Sequence, residues 1–132
     1  MPQMNKGGKW VFGWRVVSPS REIRIPPTAF SEYGFRTDGP ILYLRGSRRS
    51  GGFSVGRWEK LAGPASPILR RCMGQGIVQA EGRIALPPEA DILPGKPLLA
   101  VRGSGYAVLF ATGGPIYEKA LKRYDIETFA IL

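Results

Sequence analysis

The side chains with the most chemistry to offer in this chain are arginines set among glycine and serine. Arg45, Arg48 and Arg49 stand around Gly46-Ser47 and Ser50-Gly51-Gly52, and Arg57 follows shortly after. A turn rich in Gly and Ser exposes backbone N–H groups, and a guanidinium offers forked donors that match a phosphate. Together they suit the backbone of a polyanion. A plain solvated hairpin and a protein-recognition loop are the other readings of the same tip. A second set, Arg21, Arg24 and Arg36, lies upstream. If both sets share one surface, about six phosphate contacts come within reach, and binding would weaken roughly a thousandfold between 50 and 200 mM salt. Specificity would need side chains at base edges, and none is singled out by spacing.

What is missing narrows the chemistry further. The chain has no histidine, which removes the commonest general base and the commonest metal ligand. Cys72 is its one cysteine and reads as a small, partly buried apolar residue. Glu22, Glu32, Asp38 and Glu59 are scattered, with no acid and base paired among them. Gly46 to Gly52 lacks the Gly-Lys-Ser/Thr ending of a Walker loop, and Gly74-Gln75-Gly76 lacks the third glycine of a dinucleotide fingerprint. Ser50 and Ser104 have no base beside them in sequence. The expectation is a protein that is not an enzyme and takes no metal or cofactor.

Charge points the same way as the arginines. The net charge is +9 over 132 residues. Residues 1–74 hold 13 Lys and Arg against four Asp and Glu, whereas residues 75–132 hold six of each. A polyanionic partner would explain that split; an excess that merely aids solubility is the alternative.

The elements that must carry these side chains are short. Eighteen glycines and 12 prolines favour brief strands and many turns. Residues 9–17 read as a strand with a bulge at Gly13, and Trp10, Phe12, Trp14 and Val16 share one face by the period of two. That face is expected in the core, with a base-stacking platform as the lesser reading. Arg21 to Ile25 is a strand with Ile23 and Ile25 inward, stopped by Pro26-Pro27. Thr28 to Tyr33 is a short helix with Gly34 as its stop, and Asp38-Gly39 is a turn. Ile41–Leu44 and Phe53–Val55 form a hairpin around the arginine-rich tip. Helical pieces are expected at Trp58–Leu61 and Ile68–Met73. Strands are expected at 76–80, 82–86, 97–102 and 106–111. A helix should span 115–123 with Ile116, Ala120 and Leu121 inward, and a short strand or tail follows over 126–132.

Much of this pattern occurs twice. Ile23, Pro26, Pro27 and Ala29 match Ile84, Pro87, Pro88 and Ala90. Pro40, Leu42, Arg45, Gly46, Ser47 and Phe53 match Pro97, Leu99, Arg102, Gly103, Ser104 and Phe110. The second copy is four residues shorter between these blocks and keeps hardly one helical turn there. It also lacks the Arg48-Arg49 pair. A repeat of this size implies two β units that complete one core.

Gly82-Arg83-Ile84-Ala85-Leu86-Pro87 resembles the "G-R-[IV]-x-[IL]-P" strand of the AbrB/MazE/SpoVT family, and Arg24-Ile25-Pro26 with Phe35 to Gly39 resembles its strand and post-helix turn. Two copies in one chain are similar to MraZ-type proteins. The resemblance covers about residues 10–55 and 76–112. It implies a mostly β fold, a swapped-hairpin (AbrB-like) β-barrel from two internal repeats with short helices, formed by two chains or by the two halves of one. It also implies a DNA-binding transcriptional regulator, with Arg21, Arg24 and Arg83 among the contacts. The full set of expected DNA contacts is Arg21, Arg24, Arg36, Arg45, Arg48, Arg49, Arg57 and Arg83. The chain departs from the family in carrying Glu32 where a basic helix residue is common. A non-catalytic protein-interaction or self-assembly module on the same fold is the alternative.

The expected organisation is a first repeat over 9–55, a connector over 56–75, a second repeat over 76–112 and a C-terminal helix and tail over 113–132, within one compact domain. No stretch approaches the ~20 apolar residues of a membrane span. The polar start leads to an expectation of a cytoplasmic protein. DNA is the expected partner, with a homodimer or an intrachain pseudo-dimer as the assembly.

Overall fold

The two copies meet through their strands. A computed structural model describes residues 1–61, 70–103 and 105–131 of the chain. The first copy contributes β1 (Val11–Val16), β2 (Glu22–Arg24), α1 (Pro27–Glu32), β3 (Pro40–Arg45) and β4 (Phe53–Arg57), followed by α2 (Trp58–Leu61). The second contributes β5 (Cys72–Ile77), β6 (Arg83–Ala85), β7 (Pro97–Arg102) and β8 (Ala107–Ala111), followed by α3 (Pro115–Leu121) and β9 (Thr128–Ala130). The protein is thus mostly β, with short helices. Its main sheet is mixed and runs β5-β3-β4-β8-β7-β1-β9, while β2 and β6 form a separate antiparallel pair. No helix among the described residues is long and apolar enough to cross a membrane.

The pairing is symmetric in the repeat. β1 lies against β7, and β5 against β3, so each copy's leading strand pairs with the other copy's hairpin. Ile23 stands opposite Ile84 in the β2–β6 pair, and Phe53 opposite Phe110 in β4–β8. Both pairs join matched positions of the repeat, so a pseudo-twofold axis passes between them. Loop hydrogen bonds obey the same relation. Ile25 N–H donates to Gly82 O and Leu86 N–H to Arg21 O; Asp38 N–H donates to Val78 O and Gly95 N–H to Val17 O.

Alternation along the strands gives the sheet two buried faces. Ile41, Tyr43, Phe53, Val55, Leu98, Ala100, Val108 and Phe110 point to the main core, which also holds Ile23, Ile25 and Ile84. On the opposite face, Leu99, Val101 and Ala111 pack with Trp14, Tyr117 and Ala120 under α3, while Leu42 and Leu44 pack with Leu61 of α2. Proline at the start of α1 supplies a fixed φ where no N–H is needed, and Gly34 ends the turn at φ 69°.

Three expectations need correction. Trp10, Phe12, Trp14 and Val16 do not share a face. A bulge at Gly13 shifts the register, so Phe12 enters the main core, Trp14 the opposite cluster, and Trp10 stays 38% exposed. Cys72 and Met73 belong to a strand rather than a helix, and that strand ends at Ile77 rather than Ala80. Cross-strand pairing with β3 overrides the weak strand propensity of Gly74 and Gly76. The rest of the piece expected over Ile68–Met73 includes residues 68 and 69, which lie outside the described residues, as does Ser104 of the second hairpin tip. In α3 the buried partner of Ala120 is Tyr117, and Leu121 is exposed. The other expected strands and the helices at 28–33 and 58–61 form, with ends moved by a few residues. The second copy has only a turn where the first has α1.

Candidate functional site

The hairpin tip between β3 and β4 is held by its own backbone. Gly46 N–H donates to Gly52 O at 3.1 Å and Gly51 N–H to Ser47 O at 2.9 Å, while Thr112 and Gly113 N–H both reach Ser50 O. A Cβ on Gly46 would meet Gly51 O at 2.0 Å, so the chain crosses itself here only because glycine has no side chain. Ser47 and Ser50 hydroxyls bond to each other at 3.0 Å. Arg48 and Arg49 project from this tied frame. Both are exposed, and neither makes a side-chain hydrogen bond or ion pair among the described residues.

A second cationic place lies at the pseudo-twofold axis. Arg24 stands directly opposite Arg83 in the β2–β6 pair, one residue beyond Ile23 and Ile84. Because Ile23 and Ile84 face the core, the two arginines face away from it. Like charges directly opposite each other on neighbouring strands repel. Neither arginine has a carboxylate partner among the described residues, and the buried Nε of Arg83 has no hydrogen-bond acceptor there. Arg24 is steadied by stacking over Phe129 at 5.4 Å.

The remaining expected contacts are engaged elsewhere. Arg21 donates to Ala90 O at 2.6 Å and to Ile92 O at 3.3 Å, bridging the first copy to the loop of the second. Arg36 and Arg57 share one oxygen of Glu59, at 2.8 and 2.9 Å. The Glu59 carboxyl is held below its usual range, first by its own backbone N–H and then by Arg57 and Arg36. Arg45 lies 3.9 Å from Glu89 and is mostly exposed. The eight arginines are therefore not one patch of free cations. The sequence shows their charge but not the carbonyls and the carboxylate that tertiary packing brings to Arg21 and Arg36; for Arg57 the partner, Glu59, is only two residues away.

The sequence pattern gives no sign of one further cation, which is buried. Arg15 is 2% exposed, donating to Arg24 O at 3.0 Å and Trp14 O at 2.9 Å. Its ring partner is Phe129 at 5.3 Å, so that ring is shared by Arg15 and Arg24. Burial lowers the Arg15 pKa, and Glu127 at 3.9 Å opposes that shift. Carrying the register shift at Gly13 through the rest of β1 places Arg15 inward; an unbroken period of two across the bulge reads it as a solvent-facing charge. No group of His, Cys, Asp and Glu among the described residues could hold a metal ion. No protein-family model, curated protein or solved structure matches the chain.

Proposed function

We propose that this chain is a DNA-binding regulator that grips the phosphate backbone through the Arg24–Arg83 pair and the Arg48-Arg49 tip, on an intrachain version of the swapped-hairpin barrel. The observation that carries the reading is the juxtaposition of Arg24 and Arg83 with no carboxylate between them. Like charges at directly paired positions of neighbouring strands repel, and an anion bound between them would relieve that repulsion. The free tip supplies two more cations of the same kind. The exchange of leading strands between copies and the pairing of Ile23 with Ile84 support the swapped-hairpin reading, and the match of residues 82–87 to that family's strand supports the regulator. Cytoplasmic location goes with that role.

Four guanidinium groups without a carboxylate partner among the described residues stand in place of the roughly six expected contacts. The slope of log K against log salt should then be near −3.6, which weakens binding on the order of a hundredfold between 50 and 200 mM. Arg24→Ala/Arg83→Ala and Arg48→Ala/Arg49→Ala should each reduce the slope by about two. A titration of duplex DNA in which neither double variant changes the slope would remove these residues from the interface. The engagement of Arg21, Arg36 and Arg57 within the fold favours a second reading, a non-catalytic interaction module with incidental charge; absence of any salt-dependent DNA binding would favour it.

A further inference from the structure

The pseudo-twofold relation shows what the second copy lacks. Equivalent hydrogen bonds fix the alignment up to Ile25 and Leu86 and again from Asp38 and Gly95. Ala29 and Ala90 are buried alike, and Phe35 corresponds to Ile92. The four residues missing from the second copy are therefore Ser31-Glu32-Tyr33-Gly34. In the first copy two of them close the space beneath α1. Tyr33 packs edge-on against Phe12 at 6.3 Å, and Glu32 takes a bidentate pair from Arg102, with Nε at 2.9 Å. Arg102 in turn covers the Phe12 ring.

In the second copy the receiving side survives without its filling. Arg45 is the counterpart of Arg102 and Met73 the counterpart of Phe12. Between them lies a groove of about 500 Å³ that also involves Ile92, Leu93 and Lys96. That volume falls in the range of ligand-binding clefts. Leu93 is 73% exposed at its rim. Asp91 stands where the first copy has Phe30, and Glu89 reaches Arg45 only at 3.9 Å, with both side chains more than 60% exposed. That contact is too long for a hydrogen bond and leaves the guanidinium fork open.

We infer that this groove docks a short segment of a partner protein that carries an aromatic residue beside a glutamate. The aromatic ring occupies the place over Met73 that Tyr33 takes over Phe12, and the carboxylate takes Arg45 as Glu32 takes Arg102. The occupant is specified by the first copy, which shows the same frame filled, and by the open fork of Arg45; the groove as a whole is balanced in charge, since Glu89 and Asp91 line it beside Arg45 and Lys96, and the Lys96 ammonium lies over Tyr117. The inference uses neither the Arg24–Arg83 pair nor the side chains of Arg48 and Arg49, although Gly46, Gly51 and Gly52 of the same hairpin tip line the groove.

The probe is a synthetic peptide with the sequence of residues 27–35, PTAFSEYGF, added to the full chain carrying methyl-labelled methionine. Met73 should shift on titration, while Met1 and Met4 should not. Replacing the peptide's glutamate by glutamine, or Arg45→Ala in the protein, should each weaken binding by about fivefold or more. Glu89→Gln should tighten it by freeing Arg45. Insertion of Ser-Glu-Tyr-Gly after Asp91 should fill the groove and abolish the shift. The proposal is overturned if Met73 does not respond to millimolar peptide. It is equally overturned if the response ignores both charge changes, or if a short DNA duplex evokes it and the peptide does not. Arg45 and Glu89 are exposed, so their variants keep the test valid even where the insertion fails to fold.

Discussion

Arg21 occupies a backbone conformation that suits glycine, with φ at 59°, and its counterpart in the second copy is Gly82 at φ 73°. Its side chain explains the exception. Where the first copy has α1 the second has only a turn, and the Arg21 guanidinium binds Ala90 O and Ile92 O of that segment. The usual ranking of substitutions should therefore invert. Arg21→Gly loses the bonds but relaxes the backbone, whereas Arg21→Ala loses the bonds and keeps the strain, so Ala should be the less stable variant by about 1 kcal/mol in urea unfolding. Neither should alter a DNA salt slope, because this guanidinium is already occupied. Tyr43 supplies a test against pH. Its hydroxyl donates to Ala85 O, and burial pushes the phenol well above the usual tyrosine range. Its neutral form is favoured by folding, so the contribution is intact below about pH 10, where an unfolded tyrosine begins to ionise, and is lost above it. Tyr43→Phe should cost about 1 kcal/mol at neutral pH through the lost hydrogen bond, yet shift alkaline unfolding to higher pH.

At the scale of elements, the same bulge is built twice. Gly13 and Gly74 occupy equivalent places in β1 and β5, each at a register shift and each with φ near 140°. They differ in what lies outside. A Cβ on Gly13 would sit 2.8 Å from Glu127 O beside β9, whereas one on Gly74 would meet nothing within 4 Å. Gly74→Ala should cost on the order of 1 kcal/mol from strain alone. Gly13→Ala should cost more and release the β9 segment, visible as faster amide exchange at Thr128–Ala130. These two glycines also mark the limits of reading the chain from its residues. The hairpin strands, α1 and the I-x-[IL]-P-P blocks were legible because alternation, proline and glycine all agree there. β5 was displaced because Cys-Met-Gly-Gln-Gly-Ile has little strand propensity and is held by pairing with β3. The phase of β1 was lost because one extra residue reverses every inward assignment beyond it, which hid Arg15. In the candidate site the free tip was legible from Arg48 and Arg49. The pairing of Arg36 with Glu59 joins residues 23 apart and was not, although the contact of Arg57 with Glu59 spans only two residues.

At the scale of the whole molecule, the two copies share one core across the pseudo-twofold axis, and function is proposed at the places where they differ. The first copy carries the arginine tip; the second carries the groove left by four absent residues. Both rest on an exchange in which neither half contains the strand that completes its own hairpin. The most direct test is to prepare residues 1–65 and 66–132 as separate fragments and follow each, and their mixture, by circular dichroism and amide exchange. The account predicts that each fragment alone lacks stable sheet structure and that the equimolar mixture recovers protected amides in β1, β3, β5 and β7. A fragment that folds cooperatively without the other would contradict it.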